Sequence, residues 1–202
     1  MPISLEKGQR ISLEKNGLGL SEVCVGVNWG VIKKKGFFGG TKNIAVDLDA
    51  SVATFDQNKK LGETVYFGQL KAFEGAIHHS GDDLTGDTDG DDGLDNEIIT
   101  IKMKNLPSSV EKIAVVLNSF KGQDFASIPF ASVRLYEGTA SHVENIIASY
   151  NIANEPKFSG AVSMVLGILY RHSNNWKFRA IGEPSSDRKL KDTLKTVINN
   201  YL

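Results

Sequence analysis

The chain is poor in the residues that usually announce a fold or a chemistry. It holds one cysteine in 202 residues, Cys24, so no internal disulfide can form and nothing calls for an oxidising compartment. No segment approaches the roughly 18 consecutive apolar residues of a membrane helix. The opening MPISLEKGQRISLEKNG has no apolar run of signal length either, so a cytoplasmic location without membrane insertion is expected. A net charge of −1 supplies no overall field for nucleic acid or an anionic membrane. The G-x-x-x-x-G-K-[ST] phosphate loop is missing, and the four histidines, His78, His79, His142 and His172, make no Ser-His-Asp order. His78 and His79 are adjacent, so on a strand they point to opposite faces and make a poor joint metal site. None of the four is assigned a role, and no catalytic residue is expected.

What is present is concentrated between Ser80 and Glu97, SGDDLTGDTDGDDGLDNE. This stretch carries eight acids, no Lys or Arg and four glycines. Removing those eight of the 24 acids leaves 16 against 23 Lys and Arg, a remainder of +7, so the near-neutral total hides a strong local anion. Crowded carboxylates repel, and a compact loop holding them must protonate some of them or take up a cation. Hard cations take oxygen ligands, and calcium takes about six to eight at roughly 2.3–2.6 Å. The competing reading is a solvated run of like charge. The apolar segments on both sides favour the metal loop. It is not a helix-loop-helix calcium loop: counted from Asp87, Asp92 stands where glycine is needed and Ile98 where glutamate is needed. No second copy of the stretch exists, so further ligands must come from elsewhere in the chain.

Asn43–Ala50, NIAVDLDA, is the nearest source. Ile44, Val46 and Leu48 alternate with Ala45, Asp47 and Asp49. The two acids therefore share one strand face about 6.5–7 Å apart, either as ligands to one or two ions or as a solvent-facing pair. Period-two patterns predict further strands at Glu22–Trp29, Thr64–Leu70, Ile98–Lys104, Lys112–Ser119, Phe130–Tyr136, Ala161–Leu169 and Asn175–Ile181. Cys24 lies on the face opposite Val23, Val25, Val27 and Trp29 and reads as structural. Lys33–Lys35 and Phe37–Phe38 read as a solvated hairpin loop, and Pro107 and Pro129 fall between strands. Leu190, Leu194, Val197, Ile198 and Tyr201 recur at helical spacing over Ser186–Leu202, with Ser185 or Ser186 as cap. The expected fold is all-β: one domain over residues 1–202, a two-sheet antiparallel β-sandwich with a long acidic inter-strand loop and a C-terminal amphipathic helix. The 41% of hydrophobic residues suffices for its core.

Three stretches in order, DLDAS at Asp47–Ser51, GDDLTGDTDGDDGLDNE at Gly81–Glu97 and LYRHSNNWKFRAIG at Leu169–Gly182, resemble the TerD family of tellurium-resistance and calcium-binding stress proteins. The resemblance implies a cytoplasmic sandwich that binds two Ca2+ close together at one end, with other tellurium-resistance operon proteins as partners. Carried over by motif, the metal ligands fall on Asp47, Asp49, Asp82, Asp89, Asp91 and Asp92. Gly93 stands where the family motif closes with an acid, followed by what looks like a four-residue insertion. Glu97 is the first candidate to close the site and Asp95 the second. The competing function is a metal-dependent hydrolase or phosphotransferase. Mg2+ sites usually keep waters and use one or two carboxylates, which eight acids do not suggest.

Overall fold

Twelve strands form two six-stranded sheets whose neighbours all run antiparallel. The structure is a computed structural model and describes residues 8–35, 39–153, 155–173 and 175–202. The first sheet runs, in spatial order, Arg10–Ser12, Asn175–Ser185, Ser163–His172, Lys112–Ser119, Leu48–Phe55 and Leu61–Val65. The second runs His142–Asn151, Ala131–Thr139, Glu22–Trp29, Glu97–Lys102, Ile77–His79 and Lys71–Ala72. Alternation decides which side chains meet between the sheets. Leu48, Ala50 and Val52 of the first sheet, with Ile113, Val115 and Leu117, belong to one core with Val23, Val25, Val27, Trp29, Ile99 and Ile101 of the second.

The outer face of the first sheet has its own apolar patch. Ala53, Phe55, Ala114, Val116 and Ile168 are buried there with Leu194 and Val197 of the helix Leu190–Asn200. The helix is shorter than the periodicity predicts. Lys189 holds its N-cap position without a side-chain cap bond, because the serine expected there is used elsewhere: the Ser185 hydroxyl donates to Asp187 Oδ2 at 2.6 Å, at the end of the last strand. Among the described residues no helix is long and apolar enough to cross a membrane.

Other boundaries move for stated reasons. The strand predicted over Thr64–Leu70 ends at Val65. Tyr66 and Gln69 then exchange backbone hydrogen bonds around a turn that carries the chain from one sheet to the other. The strand predicted over Ile98–Lys104 spans Glu97–Lys102 and passes into a 3-10 turn, Met103–Asn105. His142–Asn151 escapes the pattern because it is a half-exposed edge strand without clean alternation. Cys24 is buried, with its thiol donating to the Gly138 carbonyl at 3.6 Å, and burial pushes its pKa up. Lys33–Lys35 stand exposed on the hairpin Ile32–Lys35 and Thr41–Ile44; Phe37 and Phe38 lie outside the described residues.

The most consequential departure is in Asn43–Ala50, which is not one strand. Thr41–Ile44 pairs back on the lysine hairpin, and the sheet strand begins at Leu48. The backbone between them is claimed from outside. Gln123 Nε2 donates to the Ala45 carbonyl, Trp29 Nε1 to that of Val46 and the Phe120 amide to that of Asp47. The Val46 amide donates to the Thr85 carbonyl of the acidic loop.

Candidate metal centre

The acidic stretch connects two paired strands, Ile77–His79 and Glu97–Lys102, so its ends are fixed by the ladder. The Ser80 amide donates to the Ile98 carbonyl, and the Ile98 amide to the Ser80 hydroxyl. Between these points the loop lies across one end of the sandwich. The Asp87 amide donates to the Trp29 carbonyl at 2.9 Å, and the Val31 amide to the Asp87 carbonyl at 3.0 Å. Gly86 passes directly over the Trp29 ring: its φ is +73°, and a Cβ there would lie 2.4 Å from a ring carbon. Asn96 is the internal brace. Its Oδ1 accepts from the Trp29 amide, and its Nδ2 donates to Asp83 and Asp87 at 3.2 and 3.0 Å.

This scaffold gathers two groups of three carboxylates, each group with one oxygen per residue lying within 4.8 Å of the others. The first is Asp47, Asp49 and Asp82. Asp47 and Asp49 are only 2% and 5% exposed, which overturns the solvent-facing alternative for this pair. Asp47 Oδ2 lies 3.3 Å from Lys121 Nζ, whereas its buried Oδ1 has no hydrogen-bond partner. Burial, reinforced by the charges of Glu97, Asp47 and Asp82, pushes the Asp49 pKa up to about 8. Burial and the Asp47 charge also raise that of the exposed Asp82. Three converging carboxyls served, among the described residues, by a single lysine are suited to a cation, and an unpartnered buried oxygen among them is suited to ligation.

The second group is Asp87, Asp91 and Asp92, all on the loop. The Gly93 amide and Asn28 Nδ2 donate to Asp91 Oδ1 at 2.8 and 2.9 Å and hold its pKa down. The Asn28 side-chain oxygen, Oδ1, is buried and has no partner. Asp83 belongs to neither group. Against its partial burial, the amides of Thr85 and Gly86, the Thr85 hydroxyl and Asn96 keep it ionised below the usual range.

The residues expected from the sequence therefore separate. Asp47, Asp49 and Asp82 converge, and Asp91 and Asp92 converge with Asp87, which the sequence reading did not select. Asp89 is exposed, with only the Thr88 hydroxyl at 3.5 Å, and is in neither group. Glu97 is fully buried beside Asp49, but its oxygens face protein. Oε2 accepts from the Ala50 amide at 2.9 Å and lies 3.4 Å from His79 Nε2, while the Asp83 amide reaches Oε1 at 3.4 Å. Asp95 turns away and pairs with Arg134 at 2.9 Å over Gly26, where a Cβ would lie 1.9 Å from its carboxylate.

His79 received no role from sequence, yet it stands buried at the base of the site. The Gly81 amide donates to its Nδ1, which leaves the proton on Nε2, toward Glu97. The alternation that separates His78 from His79 was the available signal. Nothing in the local pattern marked Asn28 or Asn96.

Carboxylate and carbonyl oxygens without nitrogen or sulfur ligands suit hard cations such as Ca2+ or Mg2+. A family model described as the TerD domain matches residues 1–201. The chain is 35% identical over 199 residues to the tellurium resistance protein TerZ of Serratia marcescens, covering 98% of this chain and 97% of that one. It is 36% identical over 214 residues to the stress response protein SCP2 of Bacillus subtilis (strain 168), covering 100% of each. Its fold matches the crystal structure of a homologue of telluride resistance protein (TerD) from Streptomyces coelicolor A3(2), with a TM-score of 0.68 at 17% identity over 86% of this chain and 95% of that one. With a family model spanning nearly every residue and relatives aligned along their full length, the chain belongs to the TerD family.

Proposed function

We propose that the protein is a calcium-binding stress-response protein of the tellurium-resistance type, which holds two Ca2+ at one end of the sandwich and presents the loaded loop to a protein partner. The observation that carries this reading is the buried, unpartnered Asp47 Oδ1 among three converging carboxylates. Asp47, Asp49 and Asp82 would hold one ion and Asp87, Asp91 and Asp92 the other, with Asn28 Oδ1 as a further oxygen for the second. Calcium fits better than magnesium, because it accepts many protein oxygens in flexible geometry, whereas magnesium keeps most of its waters. Two ions add four positive charges to a loop whose eight acids otherwise repel. The loop also exposes Leu84 and Leu94, at 56% and 67%, and an ordered loop would offer these two side chains to a partner in fixed places. In this reading the protein acts by binding, and its partners are other proteins of the tellurium-resistance system.

The test is backbone hydrogen exchange from Ser80 to Glu97 in calcium, in magnesium and in chelator. Calcium is expected to protect the loop and raise the melting temperature, while the apolar sheets stay folded in chelator. A native-state ligand at a hundredfold excess over Kd adds roughly 2.7 kcal/mol per site. Equal exchange in all three conditions would leave only a solvated acidic loop, and equal protection by magnesium would favour a metal-dependent enzyme.

A further inference from the structure

Beside the first carboxylate group, on the outer face of the first sheet, lies a pocket of about 340 Å³. Asp49 and Asn118 are register partners on neighbouring strands and line it together. Asn118 is 5% exposed. Its Nδ2 donates to the Thr193 hydroxyl at 2.9 Å, and that hydroxyl donates to the Lys189 carbonyl at 3.4 Å. With Nδ2 so engaged, Oδ1 is left buried and without a hydrogen-bond partner in a residue that lines the pocket. A buried acceptor left unpaired is costly, so an N–H or O–H donor reaching it from the pocket would relieve that cost.

Two further features define what else would enter. Phe120 is 62% exposed, yet it packs edge-to-face on Phe67, with centroids 5.6 Å apart, and Phe67 packs the same way on Tyr66 at 5.2 Å. An aromatic wall is thus preformed at the solvent edge. Arg188 and Lys189, just before the helix Leu190–Asn200, also line the pocket. Both are exposed, and the amide dipoles of the first turn add to their positive potential.

We propose that this pocket binds a small aromatic anion carrying an N–H or O–H donor. Its ring lies against Phe67 and Phe120, its donor meets Asn118 Oδ1, and its anionic group meets Arg188 and Lys189. The volume suits a one- or two-ring molecule, at the small end of ligand pockets. The site stands on these residues whether or not calcium is the ion of the neighbouring carboxylates.

The probes are indole-3-carboxylate, its 1-methyl derivative without the N–H, and indole-3-carboxamide without the charge. Each is titrated into the protein by 1H–15N NMR, once in calcium and once in chelator. Saturable shifts are expected for indole-3-carboxylate at Asp49–Ser51, Asn118–Lys121 and Arg188–Leu190, in at least one condition. Affinity should fall roughly tenfold for each derivative. Phe120→Ala and Arg188→Ala lie at the surface and should preserve the fold while weakening binding several-fold. No saturable binding in either condition, equal binding of all three probes, or unchanged binding by both variants would overturn the proposal. Calcium titration of the same samples reads the ion site separately, so failure of one reading is distinguishable from failure of the other.

Discussion

Replacing Asp47 and Asp49 together by asparagine is expected to weaken calcium binding at least tenfold, on the order of 1.4 kcal/mol, while making the metal-free protein more stable. The opposite signs follow from one cause. In the metal-free fold Asp49 is buried beside the charges of Glu97, Asp47 and Asp82, and relieving that is worth about 1–3 kcal/mol, more than the loss of the half-exposed Asp47–Lys121 pair. With an ion present the same two groups are its most rigid ligands. The pH dependence follows chiefly from Asp49, whose pKa rises from 3.8 to about 8 on folding, with Asp82, Asp95 and Glu97 raised by burial in the same direction. A group raised in this way contributes stability that is fully present below about pH 4 and is lost as the pH climbs through about 8. Asp83 and Asp91 are lowered instead, so their contribution is lost only on acidification below about pH 4. Melting temperatures of the metal-free protein should therefore fall from pH 5 to pH 8.5, and saturating calcium or the double substitution should flatten that slope. Tight calcium binding by the variant, or a parental slope in it, would remove the two aspartates from the site.

The largest loss of stability is expected at Glu97. Leu61–Val65 pairs with Leu48–Phe55 only from Val52 onward, and the Ala50 amide is taken by Glu97, reaching across from the other sheet. Glu97→Ala would strip the acceptor from that amide, remove the partner of the buried His79 and release the Asp83 amide. A loss of about 3 kcal/mol or more should follow, in calcium and in chelator alike. Glu97→Gln keeps an acceptor for Ala50 and should cost about 1 kcal/mol. Asp95→Ala frees Arg134, so it should lower stability and leave calcium affinity unchanged. Urea denaturation with parallel calcium titrations compares the three. A Glu97→Ala protein as stable as the parent would mean that the two sheets do not depend on this carboxylate.

Glu22–Trp29 was legible in the sequence because Val23, Val25, Val27 and Trp29 alternate onto the face buried in the sandwich, and Lys112–Ser119 because its short apolar run is buried on both faces, by the other sheet and by the helix. The acidic loop was legible from charge density alone, and the family from three motifs in order. Less legible was what depends on tertiary partners. Asp47 looked like a strand residue, but it lies in a break whose backbone is hydrogen-bonded by Gln123, Trp29 and Phe120. Asp87 and Asp89 look alike in the sequence, and what fixes Asp87 near Asp91 and Asp92 is its parallel bridge to Gly30 together with the donors Asn96 Nδ2 and the Asp92 amide. Asn28, one more polar residue at the end of a strand, matters because the loop brings Asp91 to it.

The first carboxylate group takes Asp47 and Asp49 from beside a strand of one sheet and Asp82 from a loop rooted in the other. A chain whose sheets have formed but not yet met has no such group, so the sheets must meet before an ion is gripped there. Calcium should then act as a latch on the finished molecule: in stopped-flow measurements it would leave the refolding rate alone and slow unfolding by up to about a hundredfold at a hundredfold excess over Kd. A newly made chain would fill this bridging site only once it is whole, and a loaded molecule would outlast its metal-free copy under any stress that acts by pulling the sheets apart.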